Sequence, residues 1–312
     1  MGSGRVYKKI MNYKKTVTIG IPAHNEEANI KNLLNAILAQ KQENFTLEKI
    51  IVICDGCTDA TEEKVKEFSK NHSVVEIAAD GQRKGKAQRL NELYRANASD
   101  IIVTLDADII LAAADTIGEL IKKISDEYVV AGANFQPFKG KTIFEKFINA
   151  GDALWYEIRK NIRGGDSVYN SAGCAVALEK YFAKSIFYPK DTISDQVYLY
   201  LSVKSKGENF FFSEKAVVLY RNPSSLRDFL SMNSRSQFGR QVAGKYFGDL
   251  SSNEYRLNNV NKKGILLKMF MAKPFYTFLG AISLFALKFI PVAEKKIYKD
   301  GLWDTLKSTK NI

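Results

Sequence analysis

The sequence predicts an α/β fold: a mostly parallel central sheet flanked by helices, followed by a helical tail. Three observations carry that reading. Strand and helix signals alternate through the first 135 residues. The strand segments are unbroken apolar runs, as expected of strands covered on both faces. Polar and charged groups gather directly after each run, where ligands of open α/β sheets bind.

Taken in order, "TVTIGI" (16–21) reads as the first strand. Ile30, Leu33, Leu34, Ile37 and Leu38 follow at helical spacing. "EKIIVIC" (48–54) is a second buried strand, and Val65 and Phe68 mark the helix after it. "SVVEIAA" (73–79) is the third strand and "KAQRLNELYRANA" (86–98) the third helix. "DIIVTLD" (100–106) is the fourth strand, ahead of a helix carrying Ile117, Leu120, Ile121 and Ile124. From 136 the alternation loosens. A helix is expected over about 141–162, another around 194–207, a strand over 209–220 and a basic helix over 224–248. No repeat or low-complexity linker separates the halves, so the second is expected to pack onto the first sheet.

The 312 residues, 46% of them hydrophobic, are enough for a large core. A formal charge of +12 calls for an anionic partner: nucleic acid, a membrane surface or a phosphorylated substrate. No recognised nucleic-acid motif accompanies the charge, so nucleic acid is not the expected partner. The charge is uneven, with ten Lys against three acids, a net of +7, over 261–312. Within that tail "PFYTFLGAISLFAL" (274–287) is uncharged for 14 residues between Lys273 and Lys288. That is short of the ~20 residues a membrane-spanning helix needs. The expectation is a segment lying in the plane of an anionic membrane, its lysines snorkelling, with a core helix as the alternative. Cys54 and Cys57 form a CxxC, but one pair cannot complete a four-ligand zinc site, and Cys174 and two His add little. Reduced thiols in a cytosolic setting are expected. The opening "MGSGRVYKKIMNYKK" has no apolar signal-peptide stretch.

The strand ends carry the chemistry. In "IIVTLDADII" (101–110), Asp106 and Asp108 interrupt an apolar run and, two residues apart, point to one side. Buried carboxylates need a partner, and oxygen ligands of this kind suit Mg2+ or Mn2+. Standing alone, such a pair is equally well a turn or cap before the next helix. After the second strand, "DGCTD" (55–59) supplies Asp55, able to accept hydrogen bonds from a nucleobase or ribose, and Asp59, for which a helix cap is the simpler role. "RKGK" (83–86) brings three cations and a glycine to the same rim, as a diphosphate requires; a solvated basic loop is the alternative.

"IPAHNEEANI", "DGCTDAT", "KGKAQRLN" and "LDADI" occur in the order found in family 2 glycosyltransferases, and the resemblance covers about residues 16–245. It implies the GT-A fold, with its Rossmann-like, mostly parallel sheet, and an inverting glycosyltransferase of hexosyltransferase type. Such an enzyme uses a nucleoside-diphosphate sugar, UDP being the expected nucleotide, with Mn2+ or Mg2+. By the same resemblance, Pro22, Ala23, His24, Asn25 and Glu26 line the nucleotide, Asp55 holds the base or ribose, and Lys86 lies near the cation facing the nucleotide. Asp106 contacts the donor and Asp108, with Asp106, the metal. "TISDQ" (192–196) resembles the segment of the catalytic base, which points to Asp195 rather than Asp191. "NSAGCAVAL" (170–178), with Gly173, resembles the wall facing acceptor and donor sugar.

Processive members carry Gln-x-x-Arg-Trp after the base. Here "MNSRS" (232–236) keeps Arg235, on the acceptor and diphosphate side, but has Met232 for Gln and Ser236 for Trp. Single transfer to a glycan or lipid-linked acceptor is therefore expected. "KPFYTFL" and "YKDGLWD" (298–304) resemble the tails of members acting on lipid-linked or envelope glycans, which places the protein peripherally on the cytoplasmic face of a membrane. The implied organisation is an N-terminal extension (1–15), a glycosyltransferase domain (16–248) with donor half 16–135 and acceptor half 136–248, and the basic, apolar tail (249–312). Two other classes compete. A nucleotidyltransferase making nucleotide sugars would carry a Gly-rich loop after the first strand, yet no glycine lies between Gly20 and Gly56. A catalytically silent, membrane-attached binding protein would not need acidic groups at all of its strand ends.

Overall fold

The computed structural model describes residues 14–125, 127–257 and 260–286, together with Leu302 and Thr309. Expectations for the first 13 residues, and for "YKDGLWD" apart from Leu302, concern residues outside that set. The first half runs β1 (Lys15–Ala23), α1 (Ile30–Leu38), β2 (Phe45–Cys54), α2 (Thr61–Asn71), β3 (Val75–Ala79), α3 (Lys86–Ala96), β4 (Ile101–Leu105), β5 (Ile110–Leu111) and α4 (Thr116–Ile121). There follow β6 (Val130–Pro137), α5 (Ile143–Arg159), β7 (Ala175–Glu179), α6 (Lys180–Ser185), α7 (Asp195–Ser205), β8 (Phe210–Tyr220) and α8 (Leu226–Phe247). The tail adds α9 (Asp249–Glu254), α10 (Lys262–Ala272) and α11 (Pro274–Ala286).

Among the described residues the strands form one sheet in the order β3-β2-β1-β4-β7-β6-β8-β5. The first four strands in that order are parallel, which the apolar runs anticipated: Val17, Ile19 and Ile21 of β1 are fully buried, as are Ile102 and Val103 of β4. β7 enters antiparallel to both β4 and β6, and β6 then pairs parallel with β8. The looser second half thus continues the same sheet, and β6 runs across the division at residue 135. Helices cover both faces. α1 buries Ile30, Leu33, Leu34 and Ile37, the stripe its spacing predicts. α5 begins at a capping box, in which the Thr142 hydroxyl accepts from the Glu145 N–H and the Glu145 carboxylate accepts from the Thr142 N–H.

In the tail, α11 lies along α5. Its buried positions are Thr277, Gly280 and Ser283, small residues that allow close approach; a Cβ on Gly280 would stand 2.5 Å from the Ala150 carbonyl oxygen. The rest of α11 is open to solvent, with Phe275 70%, Phe278 61% and Phe285 60% exposed. The described part of the apolar run, 274–286, is therefore seated on the domain along one narrow face and largely uncovered along the others. Among the described residues no helix is long and apolar enough to cross a membrane.

Candidate active site

The carboxyl ends of β1, β2 and β4 open into a cavity of about 620 Å³ whose far wall comes from α5, the 168–174 loop, the start of α7, and α8. That volume is in the range of small-molecule sites. Pro22, Ala23, His24, Glu26, Asp55, Lys86, Asp106, Asp108, Gly173, Asp195 and Arg235 all line it, so the segments singled out in the sequence converge.

Asn25 does not face the cavity. At φ 54° it turns aside; its Oδ1 accepts from the Thr58 N–H at 2.8 Å and its Nδ2 donates to the Thr58 hydroxyl at 3.1 Å. It pins the β1 loop to the β2 loop. His24 is held at both nitrogens. Nδ1 lies 2.7 Å from the Asp55 carbonyl oxygen, which can only accept, so Nδ1 carries the proton and Nε2 accepts from Arg83. The ring is thus held in place by partners at both nitrogens. Asp59 takes the structural part, accepting from the Thr61 and Glu27 N–H groups.

Asp55 is the best-fastened carboxylate of the set. Oδ1 accepts from the Lys84 N–H at 2.7 Å and Arg89 Nε at 2.9 Å, and Oδ2 from the Gly85 N–H at 3.0 Å. Oδ2, with one bond, retains capacity to accept from a ligand. Gly56 permits the tight turn beneath it: its φ is +59°, and a Cβ there would come 2.8 Å from the Arg83 nitrogen. Arg89 was not singled out by its sequence context. It is 1% exposed and also holds Asp80 and Glu92, at 2.7 and 2.9 Å, cinching the 80–85 loop around Asp55.

Lys86 occupies the centre. Its ammonium lies 2.7 Å from Asp106 Oδ1, 3.1 Å from Asp195 Oδ2 and 2.9 Å from the Gly173 carbonyl oxygen. One cation thus bridges the carboxylate after β4 and the carboxylate that starts α7. The two anions raise the Lys86 pKa against the opposing effect of burial, keeping it charged. Gly173 must be glycine, since a Cβ would sit 2.8 Å from Asp195 Oδ2. Asp195 itself is 7% exposed at the first position of α7. Asp191 lies outside the cavity lining and accepts from the Tyr246 hydroxyl.

Asp108 differs from Asp106 in having no ion pair within 4 Å among the described residues; Arg235 acts on it only through its field. Burial first, and then the charge of Asp106, push its carboxyl up to about 6. A half-buried carboxylate with no cation in contact among the described residues, two residues from another, fits a hard divalent cation. No cluster of three or more His, Cys, Asp or Glu suited to a metal occurs among the described residues. Mg2+ and Mn2+ fit such a site because they take their remaining ligands from water and phosphate oxygens. Cys54, Cys57 and Cys174 are all free thiols.

Comparison with known proteins bears on the family and the fold. The profile described as glycosyl transferase family 2 matches residues 18–186. Among curated relatives, the probable glycosyltransferase YdaM of Bacillus subtilis is 31% identical over 140 residues, 43% of this chain and 33% of that protein. The chain therefore spans about a third of that relative's length. Among solved structures, the mannosyltransferase PcManGT of Pyrobaculum calidifontis, in complex with GDP-Man and Mn2+, superposes with a TM-score of 0.62 at 18% identity, covering 88% of this chain and 81% of that one. Glucosyl-3-phosphoglycerate synthase of Mycobacterium tuberculosis, in complex with Mn2+, UDP and phosphoglyceric acid, gives 0.52 at 16% identity over 75% and 79% of the two chains.

Proposed function

This chain belongs to glycosyl transferase family 2, and from that premise we propose that it transfers one sugar, with inversion, from a nucleoside-diphosphate donor to a hydroxyl of a glycan or lipid-linked acceptor. The observation that carries the reading is the Lys86 bridge, which sets Asp106 and Asp195 on either side of one ammonium. Asp55, with its free lone pair, is suited to the donor's base or ribose. Asp195 takes the proton of the acceptor hydroxyl as that oxygen attacks the anomeric carbon and the bond to the diphosphate breaks. Lys86 and Arg235 offset charge gathering on the departing diphosphate. Asp108 and Asp106 would hold a divalent metal, which would supply further positive charge toward the departing diphosphate. UDP is the expected nucleotide; PcManGT, of the same fold, is known with GDP-Man.

A thermal-shift panel of UDP-, GDP- and dTDP-sugars, with and without Mn2+, tests the donor side, because a ligand of the native state raises the melting temperature by mass action. A metal-dependent shift with one nucleotide is expected, and no shift with any of them would refute the reading. Asp108→Asn should lower metal-dependent donor affinity while leaving the fold intact; wild-type turnover across a Mn2+ titration would remove Asp108 from the site. Because metal ligation requires the deprotonated carboxylate, Mn2+ affinity should also fall as pH drops through about 6. Titration calorimetry one unit either side of that value reads the effect, and equal affinities would contradict it.

The proposal extends to a peripheral position on the cytoplasmic face of an anionic membrane. Its support is the exposed surface of α10 and α11, where Leu267, Phe270, Met271, Phe275 and Phe278 stand among the exposed Lys262, Lys263, Lys268 and Lys273. Each Lys near an anionic surface contributes about 1 kcal/mol, an effect that salt screens. Flotation with anionic liposomes should weaken in high salt and after Phe275→Ser with Phe278→Ser. Undiminished flotation by that variant would count against the surface.

A further inference from the structure

The cavity has a second carboxylate-bearing corner that the reaction above does not use. Asp152 on α5 lines it, alongside Phe135, Ile148, Tyr220, Asn222 and Phe229. One oxygen of Asp152 is fully engaged: Oδ2 accepts from the Tyr220 hydroxyl at 2.9 Å and from Asn222 Nδ2. Asn222 is itself fixed by Asn149 at 2.9 Å. The other oxygen, Oδ1, makes no hydrogen bond among the described residues. Burial raises the carboxyl above its ordinary range, as expected of an acid with too few donors.

A second, independent group stands on the same wall. Ser283 of α11 is 1% exposed, its hydroxyl has no hydrogen-bond partner among the described residues, and it lines the cavity. It packs against Gly151, the neighbour of Asp152; a Cβ at 151 would lie 2.6 Å from Ser283 Oγ. Buried polar groups left unpaired are costly, and native structures keep them where a ligand or water completes them. Apolar and aromatic surface with a few fixed polar atoms matches a sugar ring, whose C–H faces are apolar and whose hydroxyls donate to a carboxylate.

We propose that this corner is a subsite for an uncharged sugar unit of the acceptor, with Asp152 Oδ1 accepting from one of its hydroxyls and Ser283 completing the contact. The inference rests on the glycosyltransferase reading for its biological sense, but its test is separate. Binding of octyl glucoside, galactoside, mannoside and N-acetylglucosaminide below their micelle concentrations is measured by saturation-transfer NMR, for the wild type, Asp152→Asn and Tyr220→Phe. Nucleotide-sugar binding is measured in parallel on the same proteins. At least one glycoside should bind the wild type. Asp152→Asn, which turns the cavity-facing acceptor into a donor, should weaken it by about tenfold or more. Tyr220→Phe, which frees the anchored oxygen without changing shape, should weaken it by a smaller factor, and it decides the matter if Asp152→Asn does not fold. Nucleotide-sugar affinity should be unchanged throughout. The subsite is overturned if no glycoside binds the wild type, or if the folded variants bind as well as it does. Failure of the wild type to bind any nucleotide sugar would instead overturn the glycosyltransferase reading.

Discussion

Asp195→Asn is expected to lower turnover by about 10²–10⁴, the usual worth of a positioned general base, with donor affinity and melting temperature nearly unchanged. The fold should tolerate the change. Lys86 loses its 3.1 Å contact with Asp195 but keeps Asp106 at 2.7 Å and the Gly173 carbonyl oxygen at 2.9 Å. Asparagine is close to isosteric, so the fit against Gly173 survives. The competing role for Asp195 is that of an anion in the first turn of α7, worth roughly 0.3–1 kcal/mol through the helix dipole. In that case the substitution costs stability and the folded fraction turns over normally. Near-normal turnover by a well-folded Asp195→Asn protein would exclude Asp195 as the base. Asp191 is a poor substitute, lying outside the cavity beside Tyr246.

The second large effect should come from a residue remote from the chemistry. Arg89→Met is expected to destabilise the protein by about 3 kcal/mol, the lower end of the range for breaking a buried ion pair. Asp55 would keep the Lys84 and Gly85 amides but lose its buried cation. Asp80 and Glu92 are more than a third exposed, so water can replace the guanidinium for them, which is why the low end applies. Nucleotide affinity should fall too, because the 80–85 loop that braces Asp55 is released. Arg89→Lys should restore part of the stability and little of the binding, since an ammonium cannot reproduce the fork that reaches three acids. Urea unfolding and donor titration check both parts, and a Met variant as stable as wild type would show that the network is dispensable.

What could be read from the sequence follows the physics of each element. β1 to β4 were legible because parallel strands covered on both faces must be apolar throughout, and their ends were legible because such sheets bind ligands there. β6 and β7 were not. "VAGANFQP" carries a glycine and an asparagine inside a strand, and "AVALE" is too short and alanine-rich to show a period. The Asp106, Asp108 and Asp195 positions came from ordered motifs, whereas the joint contact of Asp106 and Asp195 with Lys86 depends on β7 bringing the 170–174 loop alongside β4. Glu92, three residues on, made Arg89 look like half of an ordinary surface helix pair, because its other partners, Asp55 and Asp80, lie 34 and 9 residues away. Asp152 belongs to no motif that would mark it. In the tail, the spacing of Thr277, Gly280 and Ser283 was a visible sign of a packed face, hidden among the aromatic residues that suggested a surface segment.

The place of β7 has a mechanical consequence. Because it sits between β4 and β6, the strand that delivers Asp106 is hydrogen-bonded to the chain that leads out of the Gly173 wall, and the Asp106 N–H donates to the Cys174 carbonyl oxygen at 2.8 Å. The two halves of the cavity are not separate bodies joined by a hinge. The spacing between Asp106 and the Gly173 wall is a lattice constant of the sheet, fixed when the strands zip together and lost only when they part. Slow amide exchange at Asp106 would therefore report directly on how long that alignment lasts.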